Sequence, residues 1–184
     1  MTGDGIPKPG GHLWPVPKHE PEAEIDVHEI YRCSNGTGGS WHYSTEPPVG
    51  SQSPVLREIQ NVLGAIPEPW LTWALAQFED RMSRAEEGTL RFDYPEEEVG
   101  ELLQPPLLEI RVQPDEEAQC AEDEYVLRLY FCEPDEVPEI FLALKFARKP
   151  SRGDPDGTQN RHIREARGRL ERGARNGHLW GLAR

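Results

Sequence analysis

The chain predicts an α+β domain: an antiparallel sheet with an N-terminal helical hairpin and a C-terminal helix. Three observations point there. Two segments between residues 53 and 85 carry apolar residues at helical spacing, three segments between 107 and 147 alternate with period two, and a last helical segment covers 158–172. Helices gathered before and after a run of strands, instead of alternating with them, give helices packed on an antiparallel sheet.

Residues 1–23 are rich in Pro, Gly and His without periodicity and read as a flexible tail. EIDVHEIY (24–31) sets Ile25, Val27 and Tyr31 among polar residues, Ile30 excepted, and reads as a strand. NGTGG (35–39) is turn chemistry, and WHY (41–43) begins a return strand. Ser53 then offers a hydroxyl to free backbone N–H groups, with Pro54 in the tolerated first-turn position. Val55, Leu56, Ile59, Val62, Leu63 and Ile66 make one apolar helix face, and Pro67 and Pro69 stop it. A second helix runs from about Trp70 to Ala85, with Leu71, Ala74, Leu75, Phe78 and Met82 on one side and Gly88 just past its end.

The strand segments follow. LLEIRV (107–112) sets Leu108, Ile110 and Val112 against Glu109 and Arg111. YVLRLYFC (125–132) sets Tyr125, Leu127, Leu129 and Phe131 against Val126, Arg128, Tyr130 and Cys132. EIFLALKFA (139–147) sets Ile140, Leu142, Leu144 and Phe146 against Phe141, Ala143, Lys145 and Ala147. Short acidic links between these strands demand antiparallel pairing, because parallel crossovers need a dozen or more residues. In the last helix Ile163, Ala166 and Leu170 form a thin apolar seam among five arginines. The domain is expected over 24–173, followed by a basic tail over 174–184.

Apolar residues make up 36% of the chain and Pro and Gly number 18 and 17, so part of it is expected to be loop. No window nears the length of apolar sequence a membrane span needs, and the first residues lack the apolar core of a secretory signal; a cytoplasmic, soluble protein is expected. Cys33, Cys120 and Cys132 are sparse and without a CxxC pair, which suits reduced thiols. The formal net charge is −13, yet residues 145–184 hold eleven Lys/Arg against four Asp/Glu. A net negative charge argues against wholesale wrapping of nucleic acid, but screening over about 8 Å leaves room for a local cationic face.

The succession of these segments resembles the RelE/ParE toxin superfamily, in particular its HigB-like, phage-associated branch. SPVLREIQNVL (53–63), PLLEIRV (106–112), YVLRLYF (125–131), IFLALKFARKP (140–150) and HIREARGRL (162–170) stand in the order of that family's helix start, "lWElRv", "yRilYff" and "ivlLhgFvKKt" strands, and "eI--A--R" helix. The similarity spans about 24–173, with larger insertions than usual; each motif is short, and the order carries the specificity. The resemblance implies a toxin of a type II toxin–antitoxin system. It would be a ribosome-associated mRNA interferase that cleaves RNA without a metal and is neutralised by a helix-turn-helix antitoxin. Arg111 matches the arginine of "ElRv", Arg128 that of "yRilY", and Arg148 and Lys149 the "KK" pair, with Arg in place of the first Lys. SRGDPDGTQN (151–160) departs from the family's shorter link and leaves the seat of the last helix open.

Metal-free RNA cleavage needs a base for the 2′-hydroxyl, cations for the charge building on phosphate, and an acid for the leaving oxygen. Arg111, Arg128 and Lys149 are candidates for the cations and His162 for the base, although Arg111 and Arg128 can instead pair with Glu109 and close the sheet's polar face. Tyr130, on the face of Arg128, is a candidate for stacking on a base, and Lys145, Arg148, Arg161 and Arg164 for contacting RNA. The alternative is a non-catalytic protein of the same fold that binds a host or phage macromolecule through its basic C-terminal region. No cofactor is implied. His28, Cys33 and His42 match no usual zinc spacing, and NGTGG lacks the Lys-Ser/Thr of a phosphate-binding loop.

Overall fold

The computed structural model describes residues 30–45, 52–68, 70–92, 98–102, 106–113, 125–150 and 157–175. Its elements are β1 (Ser40–Tyr43), α1 (Pro54–Leu63), α2 (Trp70–Glu86), β2 (Val99–Glu101), β3 (Leu107–Val112), β4 (Tyr125–Cys132), β5 (Ile140–Pro150) and α3 (Thr158–Arg175). The strands form one sheet in the order β1-β5-β4-β3-β2. β2 to β5 pair antiparallel, as their short links require, while β1 lies parallel to β5 with Ser40 opposite Ile140. The sheet is therefore mixed at one edge. β1 does not form a hairpin with residues 24–31: 24–29 lie outside the described residues, and Ile30 and Tyr31 are not in a strand. NGTGG instead packs on the end of α2, where Gly36 N–H donates to the Gly88 carbonyl at 2.9 Å.

Local chemistry accounts for both hairpin helices. Ser53 accepts from Val55 N–H at 3.2 Å and donates its own hydroxyl to the Ser44 carbonyl at 2.7 Å, fixing the start of α1 to the end of β1. Gly88, at φ 72°, supplies the left-handed turn that releases the chain from α2. α3 begins at Thr158 as expected and runs three residues beyond the predicted end.

The period-two pattern divides the sheet into two faces. Leu108, Ile110, Val112, Leu127, Leu129, Phe131, Phe141, Ala143 and Phe146 pack against α1 and α2. Phe78 of α2 meets Phe146 edge-on at 5.1 Å, and Trp41 of β1 lies 5.1 Å from Phe131 and donates its indole N–H to the Met82 carbonyl. The opposite face, with Leu107, Tyr130, Cys132, Ile140, Leu142, Leu144 and Ala147, packs against α3 through Ile163, Ala166 and Leu170.

In β5 the alternation breaks. Tyr130 pairs with Lys145 but Phe131 pairs with Ala143, so Leu144 is an extra residue, a β-bulge. Ile140, Leu142 and Leu144 face α3 as one set, but Phe146 does not follow them; it crosses to the hairpin side, while Lys145 and Ala147 join the α3 side. A bulge leaves backbone groups without ladder partners, and here charged side chains supply them: Arg169 of α3 donates to the Leu144 carbonyl at 2.7 Å, and Glu58 of α1 accepts from Phe146 N–H at 3.1 Å.

Candidate functional site

The register of β3 against β4 sets Arg111 directly opposite Arg128 and Glu109 opposite Tyr130, all on the α3 face. Two guanidinium groups facing each other across a ladder repel. Glu109 resolves this: its Oε1 accepts from Arg111 Nε at 2.7 Å and from Arg128 Nη1. Glu109 is 0% exposed and Arg128 is buried, while Arg111 stays partly open. Gly100 of β2 makes the room, since a methyl group there would collide with the Arg111 guanidinium. Thus the pairing reading of the two arginines is the one the geometry adopts.

Beside this trio a cleft of about 550 Å³ opens between β2–β3 and the start of α3, with Glu109 and Arg111 on the sheet side and Gln159, Asn160, Ile163 and Arg164 on the helix side. Glu101 and Leu102 close one end, and Tyr31 Oη holds Glu101 Oε1 at 2.8 Å. Arg161 and Arg164 are exposed on α3. Lys149 reaches the rim indirectly, donating to Gln159 Oε1 at 2.8 Å.

Other candidates lie elsewhere. Tyr130 is 0% exposed beneath α3, its ring 6.3 Å from that of His162, so it offers no face to a stacking base. His162 points inward rather than into the cleft; burial first, then the nearby Lys145 charge, hold its imidazole below the ordinary range, and its Nδ1 has no hydrogen-bond partner among the described residues. Lys145 is committed between Glu58 at 2.8 Å and Glu165 at 2.7 Å, and Arg169 also reaches Glu58, at 2.6 Å. Burial tends to raise the Glu58 carboxyl, but Arg169, Lys145 and Phe146 N–H outweigh it and hold it below the usual carboxylate range. Arg148 is exposed at the end of β5.

The structure therefore brings Arg111, Arg128 and Arg164 around one cleft, with Lys149 one amide away, and leaves Tyr130, His162 and Lys145 in the packing of α3. Sequence reasoning treated Glu109 only as a possible partner of the arginines and missed Glu101, Asn160 and the Glu58 network. The signal for Glu109 was present: an acid two residues from Arg111 on a strand whose neighbour carries Arg128 on the same face.

Chemically the cleft is a set of guanidinium donors with amide and carboxylate groups between them, suited to hold an anion with a polar head. Neither oxygen of Glu109 is open to a hydroxyl in the cleft: Oε1 is engaged twice and Oε2 is buried. Among the described residues no group of three or more His, Cys, Asp or Glu is placed to hold a metal ion. Cys33 and Cys132 are buried free thiols whose ionisation burial pushes up, and Cys120 lies outside the described residues. No helix among the described residues is long and apolar enough to cross a membrane. No protein-family model, curated protein or solved structure matches the chain.

Proposed function

We propose that this chain is a RelE/HigB-like protein directed at RNA, the toxin of a toxin–antitoxin pair, and that it takes the RNA backbone in the cleft between β3 and α3. The observation that carries this reading is the convergence of Arg111 from the sheet and Arg164 from the helix on one cleft, with Arg161 exposed on the same helix. Guanidinium groups bind phosphate through paired, charge-assisted hydrogen bonds. The order of sequence motifs supports the family, and the helical hairpin followed by an antiparallel meander and a closing helix accords with it. In this reading Arg111 and Arg128 stabilise charge on the phosphate, and a helix-turn-helix antitoxin covers the cleft.

A second reading, a non-catalytic RNA or anion binder of the same fold, is favoured by one specific feature: Glu109 already engages both sheet arginines, and His162 is enclosed under α3. Induced expression separates the two. Growth arrest with mRNA cleavage, lost in both Arg111→Ala and Arg164→Ala, supports the interferase. Arrest and cleavage that survive both substitutions sink it. RNA binding by the purified chain, without cleavage in the presence of ribosomes, supports the binder.

A further inference from the structure

The walls of the cleft are more selective than phosphate binding requires. Leu102 from the sheet side and Ile163 from α3 are apolar, enough to bracket a flat ring. Glu101 stands at the end of the cleft, its carboxylate oriented by the hydrogen bond from Tyr31 Oη. A second carboxylate oxygen, Oε2 of Glu109 in the cleft wall, has no hydrogen-bond partner among the described residues and is buried. Buried acceptors are nearly always paired, so an unpaired one in a cleft wall marks a place for a donor from outside the protein.

Carboxylates accept and do not donate. Of the RNA bases, guanine alone presents two adjacent N–H donors on its Watson–Crick edge, N1–H and the 2-amino group, and that edge is exposed only in single strands. Adenine and cytosine offer one amino group there and uracil one ring N–H. Building on the RNA-directed reading above, we infer that the cleft is a guanine-selective subsite for single-stranded RNA. Glu101 takes the paired donors of the base, Leu102 and Ile163 flank its ring, and Arg164 holds the adjoining phosphate.

The test is equilibrium binding of the full chain to labelled oligoadenylate carrying one central G, A, C, U or inosine. The G oligonucleotide is expected to bind roughly tenfold more tightly than the others, the size a two-bond base contact gives. Inosine, which lacks the 2-amino group, falls between G and A. Glu101→Gln brings G and A together, whereas Arg164→Ala weakens all five alike, since a phosphate contact is blind to the base. Equal affinity for the bases overturns the guanine assignment while leaving RNA binding standing. A guanine preference that persists in Glu101→Gln overturns the role of that carboxylate. No binding to any of the five overturns both readings together.

Discussion

On the hairpin side of the sheet, Phe131, Phe141 and Phe146 meet Trp41 and Phe78 ring against ring; on the α3 side, Glu109, Arg128, Lys145 and Arg169 are threaded through the packing. The two faces use one set of strands and obey different rules. Apolar contact is non-directional, so the hairpin face is held by area and shape. A buried charge is costly alone, so the α3 face holds only while each ion finds its partner. The apolar side thus tolerates changes of like volume, and the charged side specifies where α3 sits.

This contrast breaks most visibly at Glu109. Glu109→Ala leaves Arg128 buried beside Arg111 with no counter-charge, and is expected to cost about 3–5 kcal/mol in urea unfolding. Phe131→Ala on the other face costs about the same, through a cavity. The difference appears on repair: Glu109→Leu combined with Arg111→Met and Arg128→Met should regain most of the loss, because apolar replacement of a whole buried ion cluster is often neutral. A triple variant no more stable than Glu109→Ala would show that the cluster itself, not its completeness, holds the face.

Acid should sharpen the contrast more gently. His162 is held below its ordinary value of 6.5 by burial and by Lys145 and Arg161, against Glu165 and Glu58. The unfolded chain takes up that proton first, so the contribution is intact above about pH 6.5 and is lost as pH falls through the window beneath it. Stability measured by urea unfolding should drop from pH 7 to pH 5, and His162→Phe should flatten that slope. The Glu58 carboxyl, also held low, adds its own loss only below about pH 4.5, where its unfolded form protonates. The smallest effect belongs to the solvent edge of α3: the exposed Arg167–Glu171 pair at 2.9 Å is worth about 0.3–0.5 kcal/mol, and Arg167→Ala should shift unfolding by no more than that.

Much of the fold was legible because it rests on local chemistry. Ser53 and Pro54 announce α1, Gly88 ends α2, and period two in 107–112 and 125–132 assigns each residue its face. What stayed hidden depends on partners far along the chain. β2 is three residues long and carries little pattern, and the parallel pairing of β1 with β5 joins segments about 100 residues apart. Phe146 was assigned to the wrong face because period two cannot foresee an extra residue at Leu144. The candidate site suffered from the same gap. Arg111 and Arg164 could be named as cations, but Lys145 reads alike in sequence and turns out to be enclosed by Glu58 and Glu165.

The bulge in β5 has a mechanical consequence. Arg169 comes from the layer on one side of the sheet and Glu58 from the layer on the other, and they grip neighbouring peptide groups and each other. Lifting α3 would expose the Leu144 carbonyl and strip Glu58 of a cation in the same movement. The closing helix is therefore bolted through the sheet to the first one, and the layers should open together as a single cooperative unit rather than peel apart in turn.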